Sequence, residues 1–173
     1  QPAEQHFRFA NAVWSMRVAA TEEDPDLRFV RFKDFKLTGQ IDGEVATFKL
    51  SGVANVRHPD GGTLSLLSSG VALTEYREQK HAQMEFVGGR YRMKFATNGE
   101  YPIEVEFNAQ VTIKDGWSSV SFAPVAAPLR EVTVSGFSPA TKVYFTEAAQ
   151  AQRKGDQYLT FLPAGGSLGF RWQ

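Results

Sequence analysis

The chain contains one literal match to a catalytic motif, Gly165-Gly166-Ser167-Leu168-Gly169. The nucleophile elbow G-x-S-x-G needs a strand-to-helix turn that presents the serine and a histidine base that follows it in the chain. Here the paired glycines are typical of a hairpin turn, and the last histidine of the sequence, His81, precedes the motif. The sequence therefore predicts a turn at these residues and no catalytic serine.

Residue types that bind metals are present, but their spacing matches no known metal motif. The histidines are His6, His58 and His81, which lie far apart and lack the close His-x-x-x-His spacing of a helical zinc site. We interpret them as scattered surface or loop residues. The alternative is a zinc site assembled from distant strands.

An acidic run lies in a polar, proline-containing connection between two predicted strands, residues 21–26. Its four carboxylates are Glu22, Glu23, Asp24 and Asp26. Calcium prefers several oxygen ligands, so a calcium loop is one interpretation. The glycine and the spaced Asp/Asn pattern of an EF-hand loop are absent, which favours a solvated acidic loop. We predict no metal and no cofactor.

Glu104 and Glu106 are two carboxylates on one face of a predicted strand. Glycoside hydrolysis uses such a pair only at a defined separation in space. The expected strand register gives them partners instead, with Arg92 opposite Glu104 and Arg90 opposite Glu106. We interpret the four residues as surface ion pairs and predict that the chain is not an enzyme. An enzyme whose residues converge from separate strands is the alternative.

Trp117 is the aromatic residue that deviates from the expected core pattern. An Asp115-Gly116 turn places it on the same side as Lys114, away from the apolar face of the sheet. An aromatic ring on a solvated sheet face can stack against a sugar, or it can lie beneath a loop or a neighbouring domain with Lys114 as a cation–π partner. Trp117 and Lys114 are therefore the candidate ligand-binding residues.

Residues 103–113 alternate without interruption between apolar and polar side chains. A period of two predicts a strand with one buried face and one solvated face. The Asp115-Gly116 turn and a Thr97-Asn98-Gly99 loop extend this strand into a predicted central three-stranded antiparallel meander from Gly88 to Phe122. The expected cross-strand pairs are Lys114–Trp117, Val111–Val120, Ala109–Phe122, Phe95–Tyr101 and Met93–Ile103.

The remaining sequence contains about ten predicted strands in all, separated by turn residues. The apolar phase changes near Lys33-Asp34 and again at Leu66-Leu67, and the Gly165-Gly166 turn is expected to pair Phe161 with Phe170 in a final hairpin. Residues 146–154 fit either a short helix or two hairpin arms. We predict an all-β antiparallel β-sandwich in a single domain, residues 1–173, with an open barrel as the alternative.

The composition of the chain argues against several kinds of partner and site. The chain has 173 residues, a formal net charge of zero and no basic run, so nucleic acid is not the expected partner. No apolar run has the length of about 18 residues that a membrane span needs. The absence of cysteine excludes disulfides and thiolate sites. Because the sequence starts with Gln1 rather than methionine, we expect a cleaved or omitted leader and an exported protein.

Several strand and turn segments between residues 63 and 173 resemble a β-rich module of large uncharacterised bacterial cell-envelope proteins. The segments are LSLLSSGVALTEYRE, GGRYRMKF, GEYPIEVEFNAQV, DGWSSVSF and GDQYLTFLPAGGSLGFRW. The resemblance implies an exported scaffold within a longer chain, located in the periplasm or outside the cell, and it implies no catalytic residues. The expected function is a non-enzymatic structural or protein-interaction module of the envelope. The alternative is a carbohydrate- or lipid-binding domain that uses Trp117.

Overall fold

The computed structural model describes residues 29–173, and all regular elements in that part of the chain are strands. They are β1 (Arg31–Asp42), β2 (Val45–Val56), β3 (Gly62–Ser68), β4 (Val71–Tyr76), β5 (Ala82–Val87), β6 (Arg90–Phe95), β7 (Gly99–Ala109), β8 (Thr112–Lys114), β9 (Trp117–Phe122), β10 (Arg130–Ser135), β11 (Val143–Thr146), β12 (Gln152–Lys154), β13 (Gln157–Leu162) and β14 (Leu168–Trp172).

The strands form three sheets. The largest has the order β12-β13-β10-β1-β2-β7-β4, a second has the order β11-β14-β9-β8, and the third has the order β3-β6-β5. Neighbouring strands are antiparallel except β1 and β10, which run parallel. The predicted all-β sandwich is therefore confirmed, with the seven-stranded sheet as one layer and the two smaller sheets against it. None of the described sheets closes into a barrel.

The seven-stranded sheet is buried on one face because its strands alternate as their sequences predict. In β2 and β7 the buried side chains lie directly opposite one another, with Phe48 opposite Phe107 and Leu50 opposite Val105. The residues between them, such as Lys49 and Glu106, point to the solvated face. Burying one face of each long strand against the smaller sheets removes enough apolar surface from water to dominate the stability of the domain.

An aromatic cluster joins the two layers. The ring of Phe48 stacks on Phe107 of the same sheet and meets Phe122 and Phe170 of the four-stranded sheet edge-on, at centroid distances of 5.0 and 6.4 Å. The three-stranded sheet makes a similar contact, since Phe95 lies 4.6 Å from Tyr101 on β7. Aromatic side chains therefore connect all three sheets.

The predicted meander is wrong as a pairing scheme, although its strands exist. β6 pairs with β3 and β5, β7 pairs with β2 and β4, and β8 and β9 belong to the four-stranded sheet. The consecutive strands β6, β7 and β8 therefore lie in three different sheets. The predicted hairpin at Asp115-Gly116 is confirmed, since β8 and β9 pair in the expected register with Lys114 opposite Trp117. Phe95 and Tyr101 do meet, but as rings packed between sheets.

The prediction of a C-terminal hairpin is also wrong. β13 pairs with β10 and β12, whereas β14 pairs with β9 and β11, so residues 163–167 connect two sheets rather than two neighbouring strands. Phe161 and Phe170 are therefore not cross-strand partners. Residues 146–154 form neither a helix nor a hairpin, because β11 ends at Thr146 in one sheet and β12 begins at Gln152 in another.

The phase changes predicted at Lys33-Asp34 and at Leu66-Leu67 are confirmed as irregularities in strand pairing, and a third, predicted near Asn11, lies outside the described residues. The β1–β2 register shifts between Lys33 and Lys36, and Asp34 has a positive φ of 56°. The β3–β6 register shifts between Ser65 and Leu67. An extra residue in one strand returns the apolar side chains to the buried face.

Gly61, which leads into β3, is a position where only glycine fits. Its φ is +84°, and a Cβ there would lie 1.9 Å from the carbonyl oxygen of Phe95. We expect Gly61→Ala to lower the free energy of unfolding by about 2 kcal/mol or more, because positive φ and a backbone clash act together. Gly88 is the matched control, since it has a φ of +60° and open space around its Cβ position. We expect Gly88→Ala to cost about 1 kcal/mol in urea unfolding. Equal losses for the two variants would contradict this account.

Candidate functional site

The four-stranded sheet presents Trp117 on its outer face, where the ring is half-buried rather than open. The guanidinium of Arg171 lies over the indole at 4.8 Å from its centroid and over the ring of Tyr144 at 5.5 Å. The two rings are 5.5 Å apart and tilted by 57°. Trp117, Tyr144 and Arg171 thus form one cluster, which we call the aromatic–arginine cluster.

The predicted cation partner of Trp117 is wrong. Lys114 is directly opposite Trp117 in the register, as expected, but the cation that stacks on the indole is Arg171 of β14. Sequence reasoning missed Arg171 and Tyr144 because it paired β14 with β13. In the structure β14 lies between β11 and β9, which places Tyr144, Arg171 and Ser119 side by side.

A groove of about 1140 Å³ opens between the seven-stranded sheet, the three-stranded sheet and the connections that follow β9 and precede β14. It is bounded by the beginning of β1, the end of β2, the first half of β3, the first residue of β6 and two connections, residues 123–128 and 164–167. Its buried apolar residues include Val30, Phe32, Leu64 and Val125. Sequence reasoning missed this groove because its walls come from six separate parts of the chain.

The cations at the groove are Arg31, Lys33, Arg57 and Arg90, whereas none of the described residues that line it is a carboxylate. Lys33 is paired, since its Nζ lies 2.5 Å from Oε1 of Glu100. The hydrogen bond and charge of each partner raise the pKa of Lys33 and lower the pKa of Glu100. The three arginines make no salt bridge with any residue in 29–173. The groove is therefore positively charged in a chain whose formal net charge is zero.

Arg130 holds the two connections that wall the groove. The residue is fully buried, and its guanidinium donates to the carbonyl oxygens of Pro163, Pro124 and Gly166 at 2.7, 2.8 and 3.2 Å. Burial lowers the pKa of this guanidinium. Its Nε donates to no acceptor among residues 29–173, and its guanidinium lies over the ring of Phe35 at 5.5 Å from the centroid.

The predicted ion pairs of Glu104 and Glu106 are wrong in their partners. Both carboxylates face Lys49 on β2, and Arg92 instead pairs with Glu85 on β5 at 3.1 Å. The contact with Lys49 lowers the pKa of Glu104, while the pKa of Lys49 is raised. The side chains of all these groups remain partly accessible to water, so their pairing has a small effect on stability.

The other residues considered for catalysis or metal binding do not lie together in the described part of the chain. The Gly165–Gly169 match lies in the connection before β14 and in its first residues, as a turn without a helix. His58 is buried and accepts a hydrogen bond from the backbone of Asp60, whereas His81 is exposed. His6 and the acidic run 22–26 lie outside the described residues. Within residues 29–173, no three His, Cys, Asp or Glu side chains are grouped so that they could hold a metal ion.

The described part of the chain contains no helix of the length and apolarity that crossing a membrane requires.

Comparison with known proteins gives a likeness of fold. No protein-family model matches the chain, and no curated protein matches it. Legionella pneumophila aminopeptidase A superposes with a TM-score of 0.50 at 7% identity, over 88% of this chain and 22% of that chain. The M1 zinc metallopeptidase from Deinococcus radiodurans gives 0.46 at 10% identity, over 84% and 42%. Yeast LTA4 hydrolase gives 0.47 at 11% identity, over 83% and 28%. The chain thus spans less than half the length of these proteins.

Proposed function

We propose that this chain is a non-enzymatic interaction module of an exported bacterial envelope protein, and that its groove binds an extended acidic segment of a partner protein. The observation that carries the proposal is the combination of apolar and cationic residues in the groove. Apolar residues form its floor, and Arg31, Arg57 and Arg90 stand exposed around it without a carboxylate partner among the described residues. Charge complementarity of this kind selects partners and speeds their association.

The backbone around the groove suits an extended peptide. Residues 31–33 of β1 pair with β2 on one side, and the pairing of β1 with β10 begins only at Lys36. β3 is at the edge of its sheet, and its residues 63–65, which line the groove, pair with β6. Within the described chain, both stretches therefore keep one free edge. A free strand edge binds an extended segment through main-chain hydrogen bonds.

The buried Arg130 adds to the positive potential behind the groove. It carries its charge close to Pro124 and Gly166, which line the groove, and it is held by carbonyl groups rather than by a carboxylate. A charge in a poorly solvated position acts over a longer distance than one in water. The exported location is supported by the resemblance of residues 63–173 to envelope modules and by the cysteine-free composition.

The test uses two fluorescein-labelled peptides of equal length, in which valine alternates with glutamate or with lysine. We expect the glutamate peptide to raise fluorescence anisotropy on binding and the lysine peptide to remain free. Because exposed charges are screened by salt, the affinity falls as ionic strength rises. In the triple variant Arg31→Gln/Arg57→Gln/Arg90→Gln we expect a loss of about tenfold or more, from roughly 0.5–1 kcal/mol for each charge.

Lys154→Gln is the matched control, because Lys154 is an exposed cation on β12, away from the groove. Its affinity for the glutamate peptide should equal that of the unaltered protein. Equal binding of both peptides, no binding of the glutamate peptide, or a triple variant with full affinity would each contradict the proposal. A dimer that dissociates in the triple variant would identify a second copy of the chain as the occupant instead.

A further inference from the structure

We propose that the outer face of the four-stranded sheet is a second, separate binding site, and that its ligand is an acidic oligosaccharide. The site is centred on the aromatic–arginine cluster and does not depend on the groove. It develops the sequence-based expectation of a sugar on Trp117 into a defined face with a defined ligand charge.

The cluster presents a guanidinium whose hydrogen-bond donors are unused. Arg171 is exposed and held in place by stacking on Trp117 and Tyr144. Its side chain makes no hydrogen bond and no ion pair with residues 29–173. Stacking fixes a guanidinium through its flat face and leaves its N–H edge free, the geometry that binds a carboxylate through two parallel hydrogen bonds.

The register shows which side chains share this face. Tyr144, Arg171, Ser119 and Thr112 lie in one row across β11, β14, β9 and β8. The next rows are Thr146, Gly169 and Ser121 on one side and Trp117 with Lys114 on the other. None of these outward positions carries a carboxylate. The row spans three strand spacings, about 14 Å, which is the length of a short oligosaccharide.

The face combines the three kinds of contact that an acidic sugar needs. Tyr144 is 51% exposed, so its ring can stack on the apolar side of a sugar ring. The hydroxyl groups of the exposed Ser121 and Thr146 share the space that the missing side chain of the buried Gly169 leaves. They can exchange hydrogen bonds with sugar hydroxyls, while Arg171 and Lys114 attract the carboxylate or sulfate groups of the ligand.

An oligosaccharide suits this face better than a membrane surface. An interfacial lipid site needs large apolar side chains that enter the acyl region. The outward positions instead carry hydroxyls, one glycine and two aromatic rings whose shared neighbour is a cation. Binding to lipid vesicles is therefore an outcome of the test and not part of the proposal.

The test is a calorimetric and fluorescence titration with a galacturonic acid trimer, with the neutral galactose trimer as the matched ligand. We expect the acidic trimer to bind and to change tryptophan emission, and the neutral trimer to bind at least about tenfold more weakly. Arg171→Gln should lower affinity for the acidic trimer by about tenfold or more, because it removes a charge-assisted hydrogen-bond pair. Trp117→Phe should keep most of the binding and lose most of the emission change.

Two controls keep the two binding sites distinguishable. Lys154→Gln should bind the trimer normally, and so should the groove variant Arg31→Gln/Arg57→Gln/Arg90→Gln. The proposal is overturned by equal binding of the neutral trimer, by unchanged affinity in Arg171→Gln, or by absence of binding. It is also overturned if sodium acetate or vesicles of phosphatidylglycerol bind this face as well as the trimer does.

Discussion

Arg130→Met is expected to lower the free energy of unfolding by about 3 kcal/mol in urea denaturation. The substitution removes the donors for three carbonyl groups and retains most of the apolar volume. A buried acceptor left without a donor costs about 1–3 kcal/mol, and water can reach some of these carbonyls in the connections at the surface. Removing the cost of a buried charge offsets part of the loss.

The matched control is Arg153→Met. Arg153 also donates to two carbonyl oxygens, those of Gly155 and Ser138, but it is exposed. Water replaces its donors, so we expect a loss below about 1 kcal/mol. Arg130→Lys should be intermediate, since an ammonium group cannot reach three carbonyls as a planar guanidinium does. Equal losses for Arg130→Met and Arg153→Met would contradict the role assigned to Arg130 at the groove.

Phe48→Ala is expected to lower the free energy of unfolding by about 4 kcal/mol, the range found for a large aromatic residue deleted from a core. Phe48 is 1% exposed and contacts rings from both layers. Its ring also lies across Gly39, where a Cβ would come within 2.4 Å of it. The cavity left by alanine would therefore lie at the centre of the sandwich.

Phe161→Ala is the control for Phe48→Ala, because Phe161 belongs to the same sheet and is 38% exposed. We expect it to cost about 1 kcal/mol. Thermal and urea unfolding should rank the variants in this order. Similar losses at both positions would mean that the aromatic cluster does not hold the two layers together.

Strand existence could be predicted from the sequence far better than strand pairing. The alternation of β2 and β7 identified their buried faces, and the frame shift at Lys33-Asp34 identified a real bulge. Pairing failed because a short loop such as Thr97–Gly99 has the same local sequence whether it closes a hairpin or carries the chain to another sheet. Local turn chemistry does not distinguish the two, and the choice depends on partners far away in the chain.

In the candidate sites, too, the sequence predicted what depends on neighbouring residues and missed what depends on distant strands. Trp117 and Lys114 could be placed on one face because a two-residue turn fixes their register. Arg171 and Tyr144 could not be placed on that face, because their neighbours depend on the strand order β11-β14-β9. Arg130 did leave a signal, because it has the same parity as the buried Val132 and Val134 and a cation at such a position indicates buried partners. The groove left no signal in the sequence, because the segments that form its walls are far apart along the chain.

The central claim is that a partner segment binds in the groove, and the most direct test is an NMR titration of isotope-labelled protein with the alternating valine–glutamate peptide. We expect chemical-shift changes in residues 31–33, 63–65 and 123–128, which line the groove. We expect none at the outer face of β8, β9, β11 and β14. Changes that are spread over the surface, or confined to the outer face of the four-stranded sheet, would contradict it.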